Sequence, residues 1–495
     1  MDRRSILAGI SLLATAPSIA RSQTGRTMVA SPEAMRRLAT RLSRLEEDGL
    51  DPRWYDLTPA NQEDPAAITR ATAGSLTDLV QGRVAGMPGR VDLRRDNNPA
   101  TLDGWMQRIA ESAEPAEVID RAAMTPADMA MLKPALAVAR QRAANPWPSF
   151  PVGGRTLEPG SVDETRVPAL RARLSATDPI LAADPGRGVT YDEKLQAAVR
   201  RFQAAAGTET DARIGMATQA ALGRSPQAGV SQLRVAMDMR RAQAALSNER
   251  RVDVNIPDYR MRMIEDGRTI IEMAVVVGRP ARATPMIATR LTSVQFNPPW
   301  GVPQRNARED LLPRLRRDPT SLQQRGFRIF GRVDGQQVEI DPTTVDWRAI
   351  NPDRFPFFIR QDAGDANALG RLKFVMPNND DIFMHDTPDR QYFRRADRAQ
   401  SSGCIRLERP MDFLTVMLEG MPGWDRDRVD RVLATRNTSA IPLRRQVPIR
   451  LFYATVTLEG GDLRVRQDIY GLDEAYARAM EGRLRPTGIP MAAAV

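Results

Sequence analysis

The chain has 495 residues with 71 basic and 61 acidic side chains, a formal charge of +10. It contains one histidine, His385, and one cysteine, Cys404, which excludes an internal disulfide and a structural zinc site built from four such ligands. With 42% hydrophobic and 27% charged residues the composition is that of a soluble globular protein, long enough for roughly two to four domains. Lys133, Lys194 and Lys373 are its only lysines, an arginine bias that reads as genome composition. No basic run or aromatic-interleaved strand set marks a nucleic-acid binder, and the positive charge suits an anionic polymer or surface equally well.

The first residues read as an export signal. Asp2, Arg3 and Arg4 are followed by an apolar stretch from Ile6 to Ala16 and a small-x-small site ending at Ala20. That stretch is too short to span a bilayer, and no later segment offers eighteen continuous apolar residues, so no transmembrane anchor is expected. The sequence therefore predicts a signal peptide over 1–20 and a periplasmic mature protein. Export runs by the Sec route or, given Arg3-Arg4, by the twin-arginine (Tat) route. In an oxidising compartment a lone thiol is either buried and inert or kept for its reactivity.

Residues 30–155 show helical spacing, as in Met35, Leu38 and Leu42, and predict a helical scaffold domain. A Pro/Gly-rich stretch from Pro146 to Gly160 reads as a boundary before a compact unit at 160–225. In that unit Leu195, Val199 and Phe202 share one helical face, Gly207 occupies a helix C′ position, and Thr218 to Leu222 belong to a further short helix. A linker helix is expected at 226–250. From 251 strand signals dominate. Asp266-Gly267 lies between Tyr259–Ile264 and Thr269–Met273, and Asp334-Gly335 between Phe327–Val333 and Gln337–Ile340. Both predict hairpins. A last strand pair, 448–458 and 462–469, is expected to turn at Gly460-Gly461, and 476–495 reads as a C-terminal tail.

Chemistry concentrates in Asp381-Ile382-Phe383-Met384-His385-Asp386-Thr387-Pro388 and in Ser401-Ser402-Gly403-Cys404-Ile405-Arg406-Leu407. In strand geometry Phe383 and His385 share one face while Ile382 and Met384 take the other, which predicts the imidazole at a sheet edge. Nineteen residues separate His385 from Cys404, enough for a crossing loop to bring them together. An imidazole can take the thiol proton and leave a thiolate, a strong nucleophile toward carbonyls. Gly403 lets a backbone approach closely, and its amide and that of Cys404 are candidate donors to an oxyanion. Pro410 starts a helix running to Leu418.

These two segments together resemble the catalytic signature of YkuD-type L,D-transpeptidases. The resemblance extends to the large multidomain, YcbB-like branch through Asn297-Pro298-Pro299-Trp300, through Asn367 to Phe374 with Pro377-Asn378, and through Asp468-Ile469-Tyr470. Weaker likeness covers Asp48 to Pro52 and Gly82-Arg83. The segment 191–222 resembles a small three-helix peptidoglycan-binding domain, departing from it at Ala212 and Met216, so it either binds glycan or only packs. Many smaller relatives carry a second histidine where this chain has Ser402. The resemblance implies a multidomain α+β chain: helical scaffold, three-helix domain, and a mainly β catalytic domain over 251–470 with a lid-like insertion at 304–355.

It further implies that Cys404 attacks the tetrapeptide stem of peptidoglycan between its third residue and the terminal D-Ala, with His385 as base and then acid, without metal or other cofactor. A thioester forms, D-Ala leaves, and an amine of a second stem accepts the acyl group, crosslinking the wall. Donor and acceptor stems are the implied partners, and carbapenem-type inhibitors fit the same nucleophile. Ser402, Gly403, Arg406, Phe383 and Trp300 are candidate oxyanion and substrate-binding residues. Arg406 either holds a stem carboxylate or braces its loop, while Phe383 and Trp300 either line the cleft or fill core. The acceptor could equally be water, which gives a carboxypeptidase or endopeptidase, and a non-catalytic wall-binding scaffold is the alternative of another class.

Overall fold

The computed structural model describes residues 30–482, apart from 85, 88, 94–98, 146 and 243–248. The expected signal segment and most of the expected tail lie outside the described residues.

The N-terminal region is helical: α1 (Pro32–Leu42), α2 (Pro65–Gln81), α3 (Pro99–Glu111), α4 (Pro115–Ala123) and α5 (Met129–Ala144). Their starts are written locally. Ser31 caps the Ala34 amide of α1 and Asp64 caps the Ala66 and Ala67 amides of α2, each just ahead of a proline at the first helical position. Leu38, Leu42, Leu76, Leu79 and Ile119 form the buried centre. The next unit comprises α6 (Arg166–Ser175), the short α7 (Pro179–Ala183), α8 (Glu193–Ala206) and α9 (Met216–Leu222). Gly207 ends α8 in the left-handed conformation with φ 70°. Ala212 turns the chain with φ 63°, and the Tyr191 hydroxyl donates to its carbonyl.

Three boundaries differ from the sequence expectation. Phe150 and Leu157 belong to the core of the second unit, and Leu157 exchanges backbone hydrogen bonds with Ile214, so that unit begins near 150, not 160. The expected linker is α10 (Pro226–Ala242), which buries Leu233, Val235, Met237 and Met239 against α2, α5 and the C-terminal helix. An amphipathic run this apolar is held as core. The expected tail begins as helix Leu472–Gly482, with Tyr476 fully buried and its hydroxyl donating to Asp238 of α10.

The region from 251 onward is mainly β. Its strands are β1 (Arg251–Asn255), β2 (Arg260–Glu265), β3 (Arg268–Gly278), β4 (Ile287–Phe296), β5 (Trp300–Gly301), β6 (Phe327–Val333), β7 (Gln336–Glu339), β8 (Phe358–Gln361), β9 (Leu372–Val375), β10 (Met384–His385), β11 (Ala399–Ser401), β12 (Ile405–Leu407), β13 (Ser439–Phe452), β14 (Val456–Glu459) and β15 (Asp462–Val465). The main sheet runs β3-β12-β10-β9-β4-β13-β1-β2 and β2 pairs back onto β3, giving a barrel-like closure with β11 on the flank of β3. Asp266-Gly267, Asp334-Gly335 and Gly460-Gly461 all have positive φ at both residues, as a two-residue turn matched to strand twist requires. The last hairpin is β14–β15, whereas 448–452 completes the long β13. Val254, Met261, Val294, Met384, Ile405 and Leu451 fill the interior, and Phe413 of helix Pro410–Met417 packs on Phe374 at 4.8 Å between ring centroids.

The insertion is a unit in its own right. Strands β5-β8-β6-β7 form a separate sheet over a core that includes Leu312, Leu315, Phe327, Trp347 and Ile359. It therefore spans 300–361, wider than the expected 304–355.

Candidate active site

Strand β10 lies between β9 and β12, paired antiparallel to the first and parallel to the second. His385 thus sits inside the sheet, not at its edge as expected, and is 4% exposed. The strand alternation does hold. Met384 is fully buried in the barrel core, while Phe383 stands on the other face with its ring 5.6 Å from the imidazole. In the β10–β12 register Met384 faces Ile405 and His385 faces Arg406. The Ile405 amide donates to the Phe383 carbonyl at 3.1 Å, which brings Cys404 beside Phe383. With Ile405 in the core, Cys404 and Arg406 are left on the face that carries Phe383 and His385.

The imidazole is oriented by backbone. Nδ1 lies 2.5 Å from the Asp386 carbonyl oxygen, so Nδ1–H donates there and Nε2 is left as the acceptor. Asp386 is itself fixed: its carboxylate accepts from the amides of Arg371 at 2.9 Å and Thr387 at 2.7 Å, and from Arg390. Gly370 makes room for it. A Cβ at Gly370 would stand 2.5 Å from the Asp386 carboxylate, and φ is +62° there.

The loop that carries Cys404 is held as closely. The Thr284 hydroxyl donates to the Gly403 carbonyl at 2.7 Å, and the Tyr470 hydroxyl accepts from the Thr284 amide while donating to the Gly278 carbonyl. The Ser401 hydroxyl donates to the Cys404 carbonyl at 2.7 Å and accepts from the Gly403 amide at 3.1 Å. The Gly403 amide is thus engaged within its own loop, while the Cys404 amide meets no acceptor among the described residues. Gly403 has φ +122°, and a Cβ there would press on Ile382 at 3.1 Å.

Burial sets the resting charges. Desolvation pushes the Cys404 thiol up to about 11, against the lowering influence of the Phe383 amide and of the Lys373 and Arg406 cations. It pushes His385 down to about 3, helped by the Arg406 and Lys373 charges. At neutral pH both groups are uncharged, and the thiol donates weakly to the Asp381 carbonyl at 3.8 Å.

The remaining sequence candidates divide. Phe383 flanks the imidazole. Arg406 reaches Asp389 at 3.1 Å and the Thr387 hydroxyl at 3.3 Å, and stacks over Tyr392, all on the loop that follows His385. Ser402 points to the insertion, its hydroxyl accepting from Arg282 at 2.9 Å and Asn306 at 3.1 Å. Trp300 packs edge-on to Phe327 within the insertion core and is not brought to Cys404.

Several site residues were not singled out by the sequence reading. Arg282, its side chain 3% exposed, joins Ser402 to Asp310 at 2.6 Å and Glu309 at 2.5 Å, tying the insertion to the Cys404 loop. Arg282 carries no motif signal, whereas Lys373 and Asp386 lie inside the quoted motifs, where scarcity of lysine was the available clue. Among the described residues no helix is long and apolar enough to cross a membrane.

Comparison with known proteins bears on this region. Residues 249–424 match the family profile of the YkuD L,D-transpeptidase catalytic domain. A Haemophilus influenzae protein named "Putative L,D-transpeptidase" is 38% identical over 249 residues, covering 50% of this chain and 50% of the relative. The chain thus spans about half the length of the curated relative it matches. Residues 249–424 are an L,D-transpeptidase catalytic domain of the YkuD family, set in a multidomain α+β chain.

Proposed function

We propose that the protein is a cysteine L,D-transpeptidase of peptidoglycan. The observation that carries this reading is that the chain's single histidine, on β10, and its single cysteine, in the turn leading into the adjacent β12, lie on one face within the matched domain. In the reaction, Nε2 of His385 takes the Cys404 proton as sulfur attacks the carbonyl that joins the third residue of a tetrapeptide stem to its D-Ala. The C–S bond forms and the negative oxygen draws on the Cys404 amide, which meets no other acceptor among the described residues. The C–N bond then breaks, the imidazolium gives its proton to the departing amine, and D-Ala leaves with a thioester behind. An amine of a second stem attacks the thioester and restores the thiol. Asp386 acts through its carbonyl by holding the Nδ1–H tautomer.

Action in the periplasm, wall contact by the 150–225 unit and inhibition by carbapenems belong to the same proposal. Incubation with a disaccharide tetrapeptide and a labelled acceptor stem, followed by product analysis, tests it. Labelled dimer that disappears in Cys404→Ala supports crosslinking. Labelled acceptor left free while tripeptide accumulates would assign the site to hydrolysis, and intact tetrapeptide would refute the enzyme.

A further inference from the structure

Lys373 is one of three lysines in the chain and the only one in the catalytic domain. It stands on β9 directly across from His385, and so on the same face. Its side chain runs diagonally over Phe383, with Nζ 3.8 Å from the ring centroid, on the face where Cys404 precedes β12. Among the described residues it has no ion-pair partner and no hydrogen bond, unlike Arg406, whose charge is met by Asp389. A partly buried ammonium with no direct ion pair is costly unless negative charge lies nearby, and here the Asp381 carboxylate and the Cys404 sulfur are the groups that favour it. The one group facing it that gains negative charge in acyl transfer is the Cys404 sulfur.

We propose that Lys373 is a positioning residue for the nucleophile, its unpaired ammonium stabilising the Cys404 thiolate across the Phe383 ring. This rests on the reading of Cys404 as nucleophile. The charged or titratable groups that bear on the thiol are Lys373 from β9, His385 from β10, Arg406 from β12 and Asp381 from the loop before β10. Asp381 opposes the thiolate and Arg406 is ion-paired to Asp389, so Lys373 is the cation left to favour it. The aromatic face underneath holds the ammonium by a cation–π contact.

The test is alkylation of Cys404 by iodoacetamide, a neutral reagent that reads thiolate availability without any substrate carboxylate. Rates across neutral to mildly alkaline pH are measured for wild type, Lys373→Met, Lys373→Gln and Lys373→Arg, with Cys404→Ala as the site control. The expected result is a profile displaced by about one pH unit to the alkaline side in the Met and Gln variants, hence about tenfold slower at neutral pH, with rates largely restored in the Arg variant. Melting temperatures within a few degrees of wild type in all three separate this from a packing effect. Unchanged alkylation in Met and Gln overturns the inference, including the case where acylation by a tetrapeptide falls, because Lys373 would then act on the substrate. Wild type that is alkylated at Cys404 but never acylated by donor stems would instead defeat the transpeptidase reading and leave the lysine result standing.

Discussion

Gly370→Ala probes how the imidazole is held. The new Cβ would stand 2.5 Å from the Asp386 carboxylate, a group already fixed by the amides of Arg371 and Thr387 and by Arg390. It also places a side chain at φ +62°. The conformational part costs about 1 kcal/mol and the forced displacement about 1–3 kcal/mol, so a total loss of about 2–4 kcal/mol is expected. Gly335→Ala supplies the control, since Gly335 has φ +80° and open space around it, and should cost only the first part. The functional consequence is larger than the stability one. Moving Asp386 moves the carbonyl that orients His385 Nδ1, and a misplacement of about 1 Å lowers rates on the order of a hundredfold. Chemical denaturation gives the stabilities, and intact-mass time courses with a carbapenem give the acylation rates. Equal acylation rates for wild type and Gly370→Ala, at a stability loss no greater than that of Gly335→Ala, would show that the space at Gly370 does not hold Asp386 and the imidazole in place.

His385 predicts an acid-labile native state. Its pKa is about 3 in the fold against 6.5 when free, so the unfolded chain binds the proton first as pH falls, and stability present above 6.5 is drawn down toward pH 3. Between about pH 7.5 and about pH 5 this amounts to about 2 kcal/mol. Denaturation curves of wild type and His385→Asn should converge by that amount, and parallel curves would contradict it. Arg282→Ala removes the tie between the insertion and Ser402; with partners half exposed the cost is about 1–2 kcal/mol, and faster hydrogen exchange confined to 300–361 is the expected signature. Deleting 150–225 should weaken sedimentation with purified sacculi, while undiminished sedimentation of a folded variant would mark that unit as packing only.

Much of the catalytic β region was legible because its determinants are local. Asp-Gly and Gly-Gly turns fixed three hairpins, and the alternation Ile382, Phe383, Met384, His385 sorted core from site. Asn297, Asn367 and Asn378 stood out as motif residues, and each is a loop clamp bonded to nearby backbone: Asn297 Nδ2 meets the Leu433 carbonyl, Asn367 Nδ2 the Asp362 carbonyl, and Asn378 Nδ2 the Ile382 carbonyl. What stayed hidden depends on partners distant in the chain. The interior place of β10 follows from pairing with β9 and β12, and no residue of a two-residue strand announces it. α10 read as a linker because its apolar face is matched by helices on either side of it in sequence, the last of them Leu472–Gly482. Arg282 looked like any other arginine, since its role is defined by Glu309 and Asp310 of the insertion and by Ser402. Lys373 was visible as a rarity but not as a neighbour of the thiol, because a diagonal contact across β9 and β10 needs the register.

In the proposed reaction Cys404 takes an acyl group from a tetrapeptide stem with His385 as its proton carrier. Intact-mass analysis after rapid mixing with a disaccharide tetrapeptide reads this step. The expected result is a mass gain equal to the donor less D-alanine, located on the Cys404 peptide, with one D-alanine released per adduct. The gain should be absent in Cys404→Ala and at least a hundredfold slower in His385→Ala. No adduct and no released D-alanine in the wild type, or an adduct that survives Cys404→Ala, would contradict it.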